Sequence, residues 1–80
     1  MSVKDVVAAR VRQLCDQRAI HPNELANISG VTPSTVYSLL DPHRRNVSVI
    51  TVKKLCDGLG ITLGEFFSTR EFDSLEQEIV

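Results

Sequence analysis

Hydrophobic positions along the chain recur at helical spacing and nowhere alternate cleanly with period two, so its elements read as helices. Val3, Val7, Val11 and Leu14 fall at i, i+4, i+8 and i+11, one stripe of a first helix over about Val3–Arg18. Arg10, Arg12, Gln13 and Gln17 cover its other faces. A second helix starts at Pro22, because proline loses nothing at the first helical position, and Glu24 favours a helix start by charge. Leu25, Ala26 and Ile28 supply its apolar side, and Gly30 ends it in a left-handed conformation. A third start signal follows at once: Thr32 is a good N-cap and Pro33 again suits the first turn. Val36, Leu39 and Leu40 form the buried stripe of this helix, and Asp41-Pro42 stops it.

Residues Pro42 to Val47 read as a loop carrying His43, Arg44, Arg45 and Asn46. Ser48 caps a fourth helix with Val49, Val52, Leu55, Cys56 and Leu59 inward and Gly58 and Gly60 at its end. Thr62 and Glu65 form a capping box for a short fifth helix bearing Leu63, Phe66 and Phe67. The segment from Phe72 to Val80 adds a helix or stays loose. The expectation is an all-α, compact five-helix bundle containing a helix-turn-helix, with room for a short extra C-terminal helix. Its domain spans residues 1–70 and an acidic segment spans residues 71–80.

Charge changes this picture by its distribution. The total is −1, but residues 1–70 hold all nine Lys and Arg against six acids, and residues 71–80 hold four acids and no base. A mildly basic body of +3 beside a tail of −4 hints at a polyanionic partner. The tail can also fold back over Arg44 and Arg45 and compete for them. The longest apolar run, Val6 to Ala9, is too short to span a bilayer, and no secretory signal is visible. The expected location is the cytoplasm, bacterial or phage-type and nucleoid-associated. Cys15 and Cys56 lie far apart, and His21 and His43 are isolated, so neither a disulfide framework nor a metal-ligand spacing is read, and no cofactor. No nucleophile–base pattern stands out, and so small a domain leaves little room for a closed pocket, which argues against an enzyme or a small-molecule site.

Two short helices separated only by Gly30-Val31 must turn sharply against each other, which is the arrangement of a helix-turn-helix whose second helix enters a DNA groove. A small helical bundle with a tight turn would share that spacing. The polar face of the third helix favours the DNA reading. Ser34, Thr35 and Ser38 are short hydrogen-bonding residues that can approach phosphates or base edges, and Pro33 and Tyr37 can touch thymine methyls. Helix capping alone would also explain Ser34 and Thr35, and packing on the domain would explain Tyr37. Arg44 and Arg45 are placed to neutralise phosphates or enter a minor groove, with Lys53 and Lys54 as weaker candidates. Asn23 can donate to a phosphate with the free N–H groups at the start of the second helix.

Pro22-Asn-Glu-Leu-Ala, Ser29-Gly-Val-Thr-Pro-Ser-Thr-Val-Tyr-Ser-Leu-Leu and the stretch from Ser48 to Phe67 together resemble the Cro and phage-repressor helix-turn-helix family. The likeness is greatest to the short bacterial regulators called xenobiotic-response-element-type, and it covers about residues 3–67. The resemblance implies a five-helix domain that binds double-stranded palindromic operators as a homodimer. It implies base reading by Pro33, Ser34, Tyr37 and Ser38. It implies phosphate contact by Asn23, Thr35 and the loop of Arg44, Arg45 and Asn46, with Thr32 beside them at the helix start. Departures are Pro22 where the family often has Gln, Cys15 where it often has Arg, and Leu40-Asp41-Pro42 where Glu-Arg-Gly is common. Phe66, Phe67, Phe72, Leu75 and Ile79 are the candidates for a dimer surface, and closure of the monomer core is their other reading. A protein-interaction module that kept the fold and lost DNA contact is the alternative function, favoured by the net charge and the acidic tail.

Overall fold

The computed structural model describes residues 1–79, and every regular element among them is helical. The elements are α1 (Val3–Arg18), α2 (Pro22–Ser29), α3 (Pro33–Leu40), α4 (Val49–Leu59), α5 (Leu63–Phe67) and α6 (Arg70–Asp73). The five expected helices are all present. The sixth is a single turn that begins ahead of Phe72, and residues 74–79 after it form no further helix. Val80, the last residue of the expected C-terminal segment, lies outside the described residues.

Local chemistry accounts for the boundaries. Ser2 caps α1 by accepting from the Asp5 N–H, and the Asp5 carboxylate accepts from the Ser2 N–H at 3.0 Å. Those bonds from the Ser2 backbone and hydroxyl hold the Asp5 carboxyl below its ordinary value. The same reciprocal box closes the start of α5, where Thr62 N–H donates to Glu65 at 2.9 Å and Glu65 N–H donates to Thr62 at 3.0 Å. Gly30 and Gly60 sit at φ 69° and 70°, where a left-handed residue lets the next N–H reach back into the helix. At the end of α2, Val31 N–H donates to the Ala26 carbonyl at 3.1 Å. The matching residue after α1 is Ala19, at φ 55°, a conformation that costs a non-glycine residue about 1 kcal/mol.

A single core joins all five main helices. Val7, Val11, Leu14 and Cys15 of α1 meet Leu25 and Ala26 of α2, Val36, Leu39 and Leu40 of α3, Val52, Leu55, Cys56 and Leu59 of α4, and Phe66 of α5. Three expected inward positions prove exposed: Val3, Ile28 and Val49. Each lies in the first or last turn of its helix, where no neighbouring helix extends far enough to cover it. Phe66 is 0% exposed and belongs to the core, so it is withdrawn from the candidate dimer surface. Phe67 and Phe72 are half-buried and pack edge-on against each other with ring centroids 4.8 Å apart. Leu75 is half-buried, and Ile79 is exposed.

α1 is bound to the rest by its long basic side chains as well as its apolar stripe. Arg10 Nε donates to the Phe66 carbonyl at 2.8 Å and its Nη2 to the Glu65 carbonyl at 2.9 Å. Arg12 donates to the Leu40 carbonyl at 3.0 Å. Lys4, 3% exposed, donates to the carbonyls of Asp41 at 2.9 Å and Arg44 at 2.8 Å. These carbonyls belong to helix C-terminal ends and to the loop beyond one of them, where backbone oxygens lack helical partners and the dipole favours a cation.

Gly58 does not mark the end of α4. It lies inside the helix, at the point where α2 presses closest. A methyl group there would collide with the Ser29 hydroxyl and sit 3.0 Å from the Ser29 Cα and 3.1 Å from the Ile28 carbonyl oxygen. The hydroxyl can turn aside, but the α2 backbone cannot. Gly58→Ala is therefore expected to destabilise the fold by about 1–3 kcal/mol from overpacking, against the gain of about 1 kcal/mol that alanine brings to a helix interior. Urea unfolding followed by circular dichroism measures it, and a raised midpoint would contradict the close approach of α2 and α4.

Candidate nucleic-acid interface

The turn between α2 and α3 is set by a few backbone bonds. Gly30 reverses the chain, Val31 is half-buried, and Thr32 begins the next helix by accepting from the Thr35 N–H at 3.3 Å. The Thr32 hydroxyl also lies 3.0 Å from that of Ser34 and 2.9 Å from that of Thr35. α3 therefore starts in a cluster of three hydroxyls. Val36, Leu39 and Leu40 turn inward as expected, which fixes the rotation of the helix. That rotation leaves Pro33, Ser34, Tyr37 and Ser38 outward, with Tyr37 50% exposed. Packing on the domain thus covers only part of the Tyr37 ring. Thr35 is half-buried and already engaged with Thr32.

Beside this face, α3 and the start of α4 enclose a shallow cleft of about 250 Å³. Ser34, Thr35 and Ser38 line one side, and Asn46, Ser48 and Thr51 line the other. The fold thus joins the loop residue Asn46 to the outward face of α3. Ser48 and Thr51 extend the same polar rim. Ser48 stood out in sequence only as a cap, and Thr51 carried no signal, since its place depends on how α4 crosses α3.

The loop between α3 and α4 is ordered by its own polar groups. Arg44 N–H donates to the Asp41 carbonyl at 3.1 Å, and His43 N–H donates to the Asp41 carboxylate at 2.9 Å. This is a four-residue turn with an aspartate side chain folded into it, which suits the residue types Asp-Pro-His-Arg. Arg44, Arg45 and Asn46 all stand exposed on it. Arg44 also lies 3.9 Å from Asp41, a long and solvated pairing that leaves it available to another anion. Lys53 is paired with Asp57 one turn along α4.

Asn23 is exposed at the start of α2, away from the cleft residues. The Glu24 carboxylate occupies the same helix start, accepting from the His21 N–H at 3.2 Å, and its charge opposes a phosphate there. Glu78 of the acidic segment accepts from the Val3 N–H at 3.3 Å and borders a concavity shared with Arg45 and Asn46. The tail thus comes near Arg45, while Glu78 bonds to the start of α1. Cys15 and Cys56 are both buried thiols, pushed up from their ordinary pKa chiefly by burial. Cys15 fills the core where the family often has Arg.

A pair of short helices joined by a tight turn, with an outward polar face on the second, matches the Cro/C1-type HTH DNA-binding domain, whose family model aligns to residues 10–71. The chain belongs to that family. Over 37 residues it is 49% identical to Control protein C.MunI of Mycoplasma sp., across 46% of this chain and 50% of that protein. The chain therefore spans about half the length of this curated relative. Its fold is also similar to the crystal structure of the prophage Lp1 protein 11, with a TM-score of 0.82 over 92% of this chain and 97% of that one. At 23% identity that likeness shows the fold alone. As a Cro/C1-type domain, the chain carries the all-helical DNA-binding architecture expected from its sequence. No described helix is long and apolar enough to cross a membrane.

The hydroxyl cluster at the start of α3 gives a direct test of the local structure. Thr32→Ala removes the cap and leaves the Thr35 N–H without its side-chain acceptor. A loss of about 1 kcal/mol in folding stability is expected. A urea midpoint unchanged from wild type would show that Thr32 does not cap α3.

Proposed function

We propose that the chain is a sequence-specific transcriptional regulator that binds double-stranded DNA as a homodimer, with α3 of each copy in the major groove of a palindromic operator. One observation carries this reading: Ser34 and Ser38 on the exposed face of α3 share a cleft with Asn46, the residue that follows Arg44 and Arg45 on the exposed loop. The face suits base edges, and the loop suits the adjoining phosphates. Membership of the Cro/C1-type family and the likeness to a control protein agree with it. Such a protein acts where the DNA is, in a bacterial or phage-type cytoplasm.

The roles divide by chemistry. Ser34 and Ser38 offer hydroxyls to base edges. Pro33 and the Tyr37 ring meet thymine methyls. Thr32, Thr35 and Asn23 approach phosphates at the helix starts, with Asn23 weakened by Glu24. Arg44 and Arg45 supply most of the electrostatic attraction.

A reading face without long side chains specifies few base pairs, so two copies about 34 Å apart on one face of the duplex are needed for a useful site. Of the candidate dimer residues Phe66 is core, while Phe67, Phe72, Leu75 and Ile79 keep exposed surface, and a further apolar patch lies at the start of α4. Val49 and Ile50 are 64% and 65% exposed at the start of α4. Val49, with Val3 and Phe67, borders an apolar hollow of about 260 Å³ that reaches Arg45 and Asn46, and Ile50 is the next residue along α4. A second copy seated there would lie beside the DNA-facing loop, on the same side of the domain.

Two experiments test the proposal. Selection from a random duplex pool at low salt should enrich a two-fold symmetric site; if no sequence is enriched, the regulator reading fails and the interaction-module alternative stands. On the enriched site, Ser34→Ala and Ser38→Ala should alter base preference at a cost on the order of 1 kcal/mol, whereas Arg44→Ala should weaken all sequences evenly. Secondly, Val49→Asp combined with Ile50→Asp should weaken self-association about 30-fold or more in sedimentation equilibrium. Unchanged association would place the dimer contact elsewhere.

A further inference from the structure

Among the described residues Lys4 is the one charged residue that is buried, and no salt bridge to a carboxylate is formed by it there. Its Nζ instead bridges two backbone carbonyls, those of Asp41 and Arg44. They are the first and last residues of the turn that presents the arginines. The ammonium therefore spans the turn from beneath, while the Arg44 N–H closes it from within by donating to the Asp41 carbonyl. Arg12 holds the carbonyl of Leu40, the residue just before. Between Leu40 and Val49 the chain has no helix or strand to give it shape. Its path rests on these bonds and on the half-buried Val47.

We propose that Lys4 is a positioning residue for DNA binding: it sets the place of Arg44, Arg45 and Asn46 relative to α3 without touching DNA itself. This rests on the reading that the loop contacts phosphates. Three physical points support it. A lysine ammonium has three donors and a flexible stem, so it can reach two carbonyls that face different ways. Burial of the ammonium makes those bonds strong and their loss costly, since the Arg44 carbonyl would lose its lysine donor and the Asp41 carbonyl would keep only the Arg44 N–H. The anchor is α1, which is packed into the core along its length and so gives the loop a fixed reference. Lys4 also lies ahead of residues 10–71, the part of the chain that matches the family. It is a support belonging to this chain beyond the matched domain.

The test separates positioning from general stability. Lys4→Met keeps the stem and removes the donors. On the site enriched by wild-type protein, and at a temperature where circular dichroism shows the variant folded, affinity should fall about tenfold and the slope of log K against log salt should shrink by about one, as if a phosphate contact were lost. The effect should vanish when Lys4→Met is added to Arg44→Ala with Arg45→Ala, because there is then no arginine left to position. Amide exchange at His43 and Arg44 should quicken in the variant without DNA. Lys4→Arg should recover part of the affinity. If Lys4→Met does not fold, Lys4→Gln carries the same comparison: it remains a donor but falls one atom short.

Unchanged affinity and salt slope in a folded variant, or a loss that simply adds to that of the arginine variants, would overturn the positioning role while leaving the DNA reading intact. Failure of wild-type protein to enrich any site would overturn the DNA reading, and the exchange at His43 and Arg44 would still decide whether Lys4 holds the turn.

Discussion

Basic side chains of α1 donating to backbone carbonyls hold this domain in register. Lys4, Arg10 and Arg12 reach oxygens on Asp41 and Arg44, on Glu65 and Phe66, and on Leu40. Apolar packing alone would let α1 slide or rotate at little cost, since its buried residues are mostly valine and alanine of similar size. Hydrogen bonds from charged donors are directional, and each contributes roughly 1.5–3 kcal/mol where water is excluded. They bring the ends of α3 and α5 to defined places on α1. The outward face of α3 and the path of the following loop depend on that registration.

The arrangement also alters what the charge of the chain means. A count of nine bases suggests a broadly cationic surface. Three of them are directed at the protein's own carbonyls, and Lys53 is paired with Asp57. Arg44 and Arg45 stand exposed side by side on the loop after α3. This concentrates attraction on one loop rather than spreading it over the domain. On the proposed reading, the outward face of α3, this loop and the hollow beside Val49 form one surface for the edge of a duplex and a second copy.

Helix starts and stops were legible because their chemistry is local. Pro22, Thr32-Pro33, Ser48 and the Thr62–Glu65 box act within four residues, and Gly30 and Gly60 need only their own backbone angle. The inward stripe of α3 was equally plain, and so was the outward set Pro33, Ser34, Tyr37 and Ser38. What escaped the sequence depends on distant partners. Val3, Ile28 and Val49 fit the helical period but sit at helix ends with nothing opposite. Gly58 reads as a terminator until α2 is seen resting on it. Phe66 fits either a dimer surface or the core in sequence, and only the packing of α5 on the other helices puts it in the core. Lys4 carried no signal, because a lysine that will serve carbonyls 37 and 40 residues away looks like any surface lysine.

The bonds from Arg10 to the carbonyls of Glu65 and Phe66 tie the first helix to the last but one. During synthesis α1 leaves the ribosome first, yet its partners at the end of α5 arrive more than 50 residues later. Until then Arg10 has nothing to donate to, and the core lacks its one fully buried aromatic ring. The helix-turn-helix emerges in between, on a nascent chain whose framework is unfinished. Completion of the fold is thereby reserved for a chain extended through α5, and prematurely ended products lack both the Arg10 bonds and the Phe66 ring.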